Sequence, residues 1–335
     1  MIDQINDVDL IDISNMSDED WRNTRRSYVG GSDAGKIFGS SKYGSPMTVF
    51  FDKKGVVPYV EKNAARRGKL LEPVVRDFTV RELGVTIEQS KYMFVSKVHT
   101  FMSANIDGFF IATSPVVING VTVQGFGGHE IKTSKTGDGF AADEVPDDYY
   151  CQVQHYMAVT GLPWFILSVY EIMSDDVHHY YIPRNDEFIA RLIAAEGDFW
   201  ENYVLKNVTP APIGIENEEE LVTGMYSPSD GVIVLTDAEL ELCKIRSDAS
   251  AREKAAKEEK EKADIALKLA ITSKVAGAHS IGKLTAVAGS YTISWSRFAQ
   301  RRVDGDLLKK DGLYDKYSKE GESGRFVVSP PKAAK

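Results

Sequence analysis

Three ionisable residues in this chain are spaced for phosphate chemistry. Asp107 stands directly before Gly108, and Glu130 and Lys132 flank Ile131 in the run H-E-I-K-T-S. In a strand, side chains alternate between faces, so Glu130 and Lys132 fall on one side and Ile131 on the other. An adjoining strand ending at Asp107 would bring a second carboxylate beside them. Two carboxylates and a backbone carbonyl, that of Ile131, are a sufficient oxygen set for Mg²⁺ or Mn²⁺, which keep several waters. A phosphodiester repels nucleophiles, and a divalent ion both neutralises it and lowers the pKa of an attacking water. Lys132 can then position that water or meet the developing charge.

Other candidates flank this stretch. In Y-Y-C-Q-V-Q-H-Y, Gln152 and Tyr156 share a helical face, and Gln152 can orient water or a phosphate oxygen. Upstream, R-R-S-Y-V-G-G-S-D-A-G-K opens a short helix after Gly30-Gly31. Free amides at such an end bind anions, and Gly31 allows close approach, with Arg25 or Arg26 and the Ser32 hydroxyl as further contacts. The same residues also make an ordinary glycine turn with a Ser/Asp cap. Glu72 lies in R-R-G-K-L-L-E-P beside an apolar stripe; it is either a site acid or a surface acid paired with Lys69 or Arg76 at helical spacing.

These residues need a mixed scaffold. The pattern predicts helices over Ser17–Arg25, Pro46–Asp52, Ala64–Leu83, Tyr149–Thr160 and Asn185–Lys206. The 64–83 helix is expected to bury Leu71, Val74, Val75, Phe78 and Leu83 and to break or kink at Pro73. Strands are expected at Lys91–Ser96, Thr100–Ile111 (interrupted near Asp107), a hairpin around Asn119-Gly120, Gly125–Thr133, Trp164–Ile172 and Val177–Ile182. The fold class is therefore α/β or α+β, a mixed sheet flanked by helices. Four divisions are expected: 1–207 catalytic, 208–235 linker, 236–275 a long Lys/Glu-rich helix, and 276–335 a small C-terminal appendage. Its tail mixes Arg and Lys with Tyr, Trp295 and Phe, a composition suited either to nucleic acid or to a small aromatic core.

Composition sets outer limits. Of 335 residues, 43% are hydrophobic and 27% charged, the balance of a globular protein. The formal net charge of -9 counts against passive, non-specific nucleic-acid coating but not against an enzyme with a local basic channel. Cys151 and Cys243 show no Cys-x-x-Cys spacing, against a zinc or iron–sulfur centre. No apolar run is long enough for a bilayer and the start is acidic, so the expectation is a cytoplasmic protein without membrane contact.

Taken together and in order, R-R-S-Y-V-G-G-S-D-A, R-R-G-K-L-L-E-P, A-N-I-D-G, H-E-I-K-T-S and Y-Y-C-Q-V-Q-H-Y-M-A-V-T-G resemble the YqaJ-like viral recombinases. These are phage alkaline exonucleases related to lambda exonuclease, in the PD-(D/E)XK superfamily with its restriction-endonuclease-like core. The resemblance spans about residues 20–205. It implies Asp107 and Glu130 as metal ligands, Lys132 as the catalytic lysine, Glu72 as a further site acid and Gln152 as the catalytic glutamine. Ile106 fills the place of the motif's proline. Arg25 and Ser32, with Arg26 as competitor, resemble a 5′-phosphate pocket. The implied activity is Mg²⁺-dependent 5′-to-3′ digestion of linear double-stranded DNA, serving a single-strand annealing partner, in a ring-shaped and often trimeric assembly. Two other readings stay open: an endonuclease or repair nuclease of the same fold, and a non-catalytic DNA-binding scaffold.

Overall fold

The computed structural model describes residues 5–56, 63–137, 139–140, 144–225, 232–275, 282–297 and 304–318. Parts of the loops expected at 56–62 and 138–148, the S-P-S-D-G run and most of the basic–aromatic tail lie outside them. The chain divides into two compact units, Met1–Pro228 and Ser229–Lys335.

The first unit begins with a strand absent from the sequence expectation, β1 (Val8–Asp12). Helix α1 (Asp18–Arg26) follows, with Ser17 accepting from the Asp20 amide and three acids in the first turn, where the helix dipole favours them. Next come β2 (Val29–Gly30), α2 (Gly31–Phe38), α3 (Pro46–Lys53) and α4 (Asn63–Leu83). The strands β3 (Thr86–Gln89), β4 (Tyr92–Ser96), β5 (Met102–Ala104), β6 (Gly108–Ile118) and β7 (Val121–Ser134) then lead into α5 (Asp147–Thr160). The unit continues through β8 (Trp164–Glu171), β9 (Asp176–Pro183) and α6 (Asp186–Phe199), whose last turns widen into a π-helix at Trp200–Val204. It ends in α7 (Glu216–Met225).

Two mixed sheets result, in the orders β1-β4-β5-β2 and β3-β6-β7-β8-β9. The second carries the chemistry. β6 and β7 pair antiparallel through a tight turn at Asn119-Gly120, both with positive φ, and β7 runs parallel to β8 across the crossover helix α5. Phe165, Leu167 and Val169 of β8 pack with Val153 and Met157 of α5. The alternate residues of β8, Trp164 and Ile166, pack with Phe110 on the opposite face.

Three expectations are corrected. Thr100–Ile111 is not one interrupted strand: β5 belongs to the first sheet and β6 to the second, so Asn105-Ile106-Asp107 crosses between sheets. Helix α4 runs through Pro73 without a break, and Val75 and Thr79 are its buried residues, while Val74 and Phe78 are exposed. Its inward stripe therefore includes Leu71, Glu72, Val75 and Arg76, one position round from the expected one. The segment read as linker contains α7, which docks on α3. Glu218 is buried, accepts from Ser45 Oγ and from the amides of Ile213 and Gly214.

The second unit holds α8 (Asp237–Thr272), capped reciprocally by Thr236 and Glu239, then a hairpin of β10 (Gly282–Ala288) and β11 (Tyr291–Arg297), and α9 (Gly305–Lys310) and α10 (Tyr314–Tyr317). No residue of α8 is buried, as its solvated Lys/Glu composition dictates. None of the described helices is long and apolar enough to cross a membrane.

A buried ion pair locks α5 to α6 and to β5. His155 Nδ1 contacts Glu196 Oε1 at 2.9 Å, and its Nε2 lies 2.9 Å from the Ser103 carbonyl. Burial alone would lower the His155 pKa, but Glu196 and the Ser103 carbonyl outweigh it and raise the pKa above its ordinary value. A raised folded pKa stabilises fully below about pH 6.5 and is lost as pH rises through the folded value. Glu196→Leu is therefore expected to cost about 3–5 kcal/mol in chemical denaturation at pH 6. The gap between wild type and Glu196→Gln should narrow as the pH is raised past neutrality.

Candidate functional site

The site forms where β7 passes the start of β6. Gly108 pairs with His129, which sets Asp107 beside the Glu130–Lys132 stretch. Asp107 Oδ2 accepts from the Ile131 amide at 2.8 Å. Gly108 has to be glycine, since a Cβ there would lie 2.8 Å from the Glu88 carbonyl oxygen. Lys132 Nζ donates to Glu130 Oε1 at 2.7 Å, and Gln152 Nε2 donates to the same oxygen at 2.8 Å. Glu130 Oε2 is buried and has no hydrogen-bond partner. An orphaned carboxylate oxygen next to a second, half-buried acid carries a large desolvation cost unless a cation or proton meets it.

The electrostatics agree. Burial, then Glu130 and Glu72, push the Asp107 carboxyl well above the usual range, against Lys132 and the Ile131 amide. Burial raises the Glu130 carboxyl in spite of Lys132. For Lys132, burial acts to lower the pKa, but Glu130 and Asp107 outweigh it and raise it.

Glu72 comes within electrostatic reach of both acids from α4. Its carboxylate, however, is engaged by Arg76 four residues on, the surface-type pair weighed from the sequence, although here it is partly buried. Among the described residues no three His, Cys, Asp or Glu side chains are grouped to hold a metal. The residues that fit a divalent ion are thus Asp107 and Glu130, with the Ile131 carbonyl next to Glu130 in sequence and its amide bonded to Asp107. Glu72 stands at the margin, held by Arg76.

Gln152 also donates to Tyr156 Oη at 2.8 Å. The Tyr156 ring lies against Gly31, where a Cβ would come within 2.4 Å of it. Any other residue at 31 would displace either the ring or the start of α2. One face of α5 thereby connects the carboxylates to the α2 amide end. At that end Arg25 Nη2 donates to Ser32 Oγ at 2.7 Å, while Arg25 stacks over Trp21. Arg26 points elsewhere, donating to Asn23 Oδ1 at 2.9 Å. Arg25, not Arg26, is the arginine brought to Ser32 and Gly30.

Several residues of the site are not evident from sequence reasoning. Asp33 and Lys53 form a buried pair at 2.6 Å, and Asp33 also accepts from the Gly30 amide at 3.0 Å. Burial opposes ionisation of Asp33, but Lys53, Arg25 and Lys36 prevail and hold its carboxyl below the usual range. Lys53 further donates to the Arg25 carbonyl at 3.3 Å, so one buried lysine fixes both the α2 cap and the arginine. Only its place at the end of an apolar helix marked Lys53 in the sequence. On the reverse face of β7, His129 contacts Ser168 at 2.8 Å; Ser168 in turn contacts His179 at 2.9 Å and accepts from Thr79 of α4 at 3.3 Å. That chain fastens α4, and so Glu72, to the strand bearing Glu130. The Asn105 amide nitrogen is buried without a partner, two residues before Asp107.

With this geometry in view, residues 20–163 match the family model described as the YqaJ-like viral recombinase domain. The chain is 28% identical over 337 residues to the uncharacterized protein YqaJ of Bacillus subtilis (strain 168), covering 94% of this chain and 95% of that protein. Among solved structures it is similar to an alkaline exonuclease, LHK-Exo, from Laribacter hongkongensis (19% identity, 62% of this chain, all of that one, TM-score 0.44). It is also similar to a phage related exonuclease from Haemophilus somnus 129PT (14% identity, 56% of this chain, 99% of that one, TM-score 0.38). The matched segment, within the first compact unit, contains Arg25, Ser32, Glu72, Asp107, Glu130, Lys132, Gln152 and Tyr156, while Ser168 and His179 lie beyond it.

The Asp33–Lys53 pair yields a prediction for the first unit. Asp33→Leu leaves Lys53 buried and unpaired and is expected to cost about 3–5 kcal/mol. Because the folded pKa of Asp33 is lowered, its contribution is present above about pH 4 and lost as pH falls further. Urea denaturation at pH 7 and at pH 3 should show the gap between variant and wild type shrinking at the lower pH.

Proposed function

We propose that this chain is a Mg²⁺-dependent exonuclease that digests linear double-stranded DNA from 5′ ends, leaving 3′ single strands for an annealing partner. The observation that carries the reading is the orphaned Oε2 of Glu130 beside Asp107, joined through Gln152 and Tyr156 to the amide end at Gly31. The first half suits a cation-assisted attack on a phosphodiester. The second supplies an anion site with Arg25 and Ser32, a reason to act at a phosphorylated end. The match of residues 20–163 to the YqaJ-like viral recombinase family model supports the same reading.

In this mechanism Asp107, Glu130 and the Ile131 carbonyl would hold the divalent ion. When bound, that ion would lower the pKa of water and neutralise phosphoryl oxygens. Gln152 orients Glu130 from one side and Lys132 from the other, so Oε2 is presented to the ion by two fixed donors on Oε1. Lys132, charged and partly exposed, meets the negative charge that grows on the phosphate during attack. Arg25 and the Ser32 hydroxyl hold the terminal phosphate, with the free amides at the start of α2 behind them. Lys53 and Asp33 keep that end rigid.

Lys132→Ala is expected to lower the rate on 5′-phosphorylated linear duplex by at least about 10²-fold with DNA binding retained. Normal cutting by that variant would show the site to be misassigned, and degradation of closed circular DNA would favour the endonuclease reading. Asp107 and Glu130 both have raised pKa values, so cation binding has to expel protons. Calorimetric Mg²⁺ titration in buffers of different ionisation enthalpy should report proton release and tighter binding as pH rises. Asp107→Asn should lose the binding. A wild-type protein that takes up no Mg²⁺ would point to a scaffold without catalysis.

A further inference from the structure

Beyond Lys132, at the carboxyl end of β7, a cleft of about 350 Å³ opens between four elements. Its volume is at the lower end of the range for small-ligand sites, about 300–1,000 Å³. Lys42 and Tyr43 come from the loop between α2 and α3, Arg67 from α4, Lys135 from the end of β7, and Asp148 and Tyr149 from the start of α5. Three cations therefore face Asp147 and Asp148, and Asp148 is turned back on its own helix, accepting from the Tyr149 amide at 3.1 Å.

The cleft communicates with the carboxylates. Lys132 Nζ lies 5.1 Å from the Tyr149 ring centre. Tyr149 is within electrostatic reach of both Glu130 and Tyr43. Opposite, the Tyr43 ring is 55% exposed, yet its backbone is fixed: its carbonyl accepts from Asn217 Nδ2 of α7 at 2.7 Å, and its amide donates to Ser41 Oγ. Lys42 sits over this ring at 5.2 Å. An exposed aromatic held in place beside cations is the arrangement that stacks a base and follows a phosphate backbone.

Helix α5 sets the order. Tyr149, Gln152 and Tyr156 recur at helical spacing on one face and mark the cleft, the carboxylates and the Gly31 end in turn. Tyr149 and Tyr156 are seven residues apart, about 10 Å along the axis. A strand laid on this face with its terminal phosphate at Arg25 and Ser32 has its first internal phosphate near Glu130. The next nucleotide then reaches the cleft. We propose that this cleft is a nucleotide subsite for the second nucleotide from the 5′ end, with Tyr43 stacked on its base and Lys135 and Arg67 on its phosphate. This deepens the nuclease reading and rests on it for the strand direction.

The test uses the full chain and a 5′-phosphorylated duplex carrying 2-aminopurine at either the first or the second nucleotide, with EDTA present to prevent cutting. Wild type should change the fluorescence of both probes. Tyr43→Ala should abolish the change at the second nucleotide and keep it at the first, Tyr43→Phe should restore it, and the affinity of Tyr43→Ala should fall about tenfold. Arg67→Ala and Lys135→Ala should each reduce the salt dependence of binding by about one ion. An unchanged second-position signal in Tyr43→Ala, with unchanged salt slopes in the other two, overturns the subsite even if the wild type digests ends with Mg²⁺. A wild type that binds no duplex overturns both the subsite and the nuclease reading. Binding with the predicted Tyr43 effect, but no digestion with Mg²⁺, keeps the subsite and removes the nuclease.

Discussion

The structure is organised around two neighbouring carboxylates, the buried Glu130 and the half-buried Asp107. Asp107 and Glu130 sit side by side where burial and mutual repulsion both disfavour ionisation. The surrounding elements supply partial compensation: the Ile131 amide to Asp107, Lys132 and Gln152 to Glu130. One oxygen is left without a donor. Further donors would relax the repulsion and remove the opening for the cation proposed above. The unsatisfied oxygen is thus where the fold stores its capacity for chemistry.

Helix α5 is the element through which this constraint reaches the rest of the molecule. Gln152 and Tyr156 face the carboxylates and the Gly31 turn, while His155 is held by Glu196 and the Ser103 carbonyl. Gln154 donates to the Pro183 carbonyl and accepts from the Asn185 amide. Three successive positions, Gln154, His155 and Tyr156, are thereby tied to β9, α6, β5 and α2. Its polar groups are buried and satisfied, so the helix cannot rotate to relieve one contact without breaking others. The same logic holds at α2, where Lys53 and Asp33 fix the amide end beside Arg25 and Ser32.

The segment after the sheet has a part in this frame. Helix α7 buries Glu218 against Ser45 and holds the Tyr43 backbone through Asn217. It steadies the loop between α2 and α3 at the edge of the site. Composition concealed it: a run of acids between prolines reads as solvated chain, and one buried glutamate with several donors reverses that.

The sequence alone determined the alternation that puts Glu130 and Lys132 on one face, the Asn119-Gly120 turn, the Gly161 end of α5 and the mixed fold class, because these follow from local backbone geometry and periodicity. The family resemblance also lay in the order of its motifs. Tertiary structure decided what local rules cannot reach. It separated β5 from β6 into two sheets, turned α4 so that Glu72 meets Arg76, and chose Arg25 over Arg26 for Ser32. It also paired Asp33 with Lys53, Ser45 with Glu218 and Tyr156 with Gly31. The last three pairings depend on groups far apart in the chain meeting out of water, where an unpaired charge or an extra methyl group costs more than any local preference.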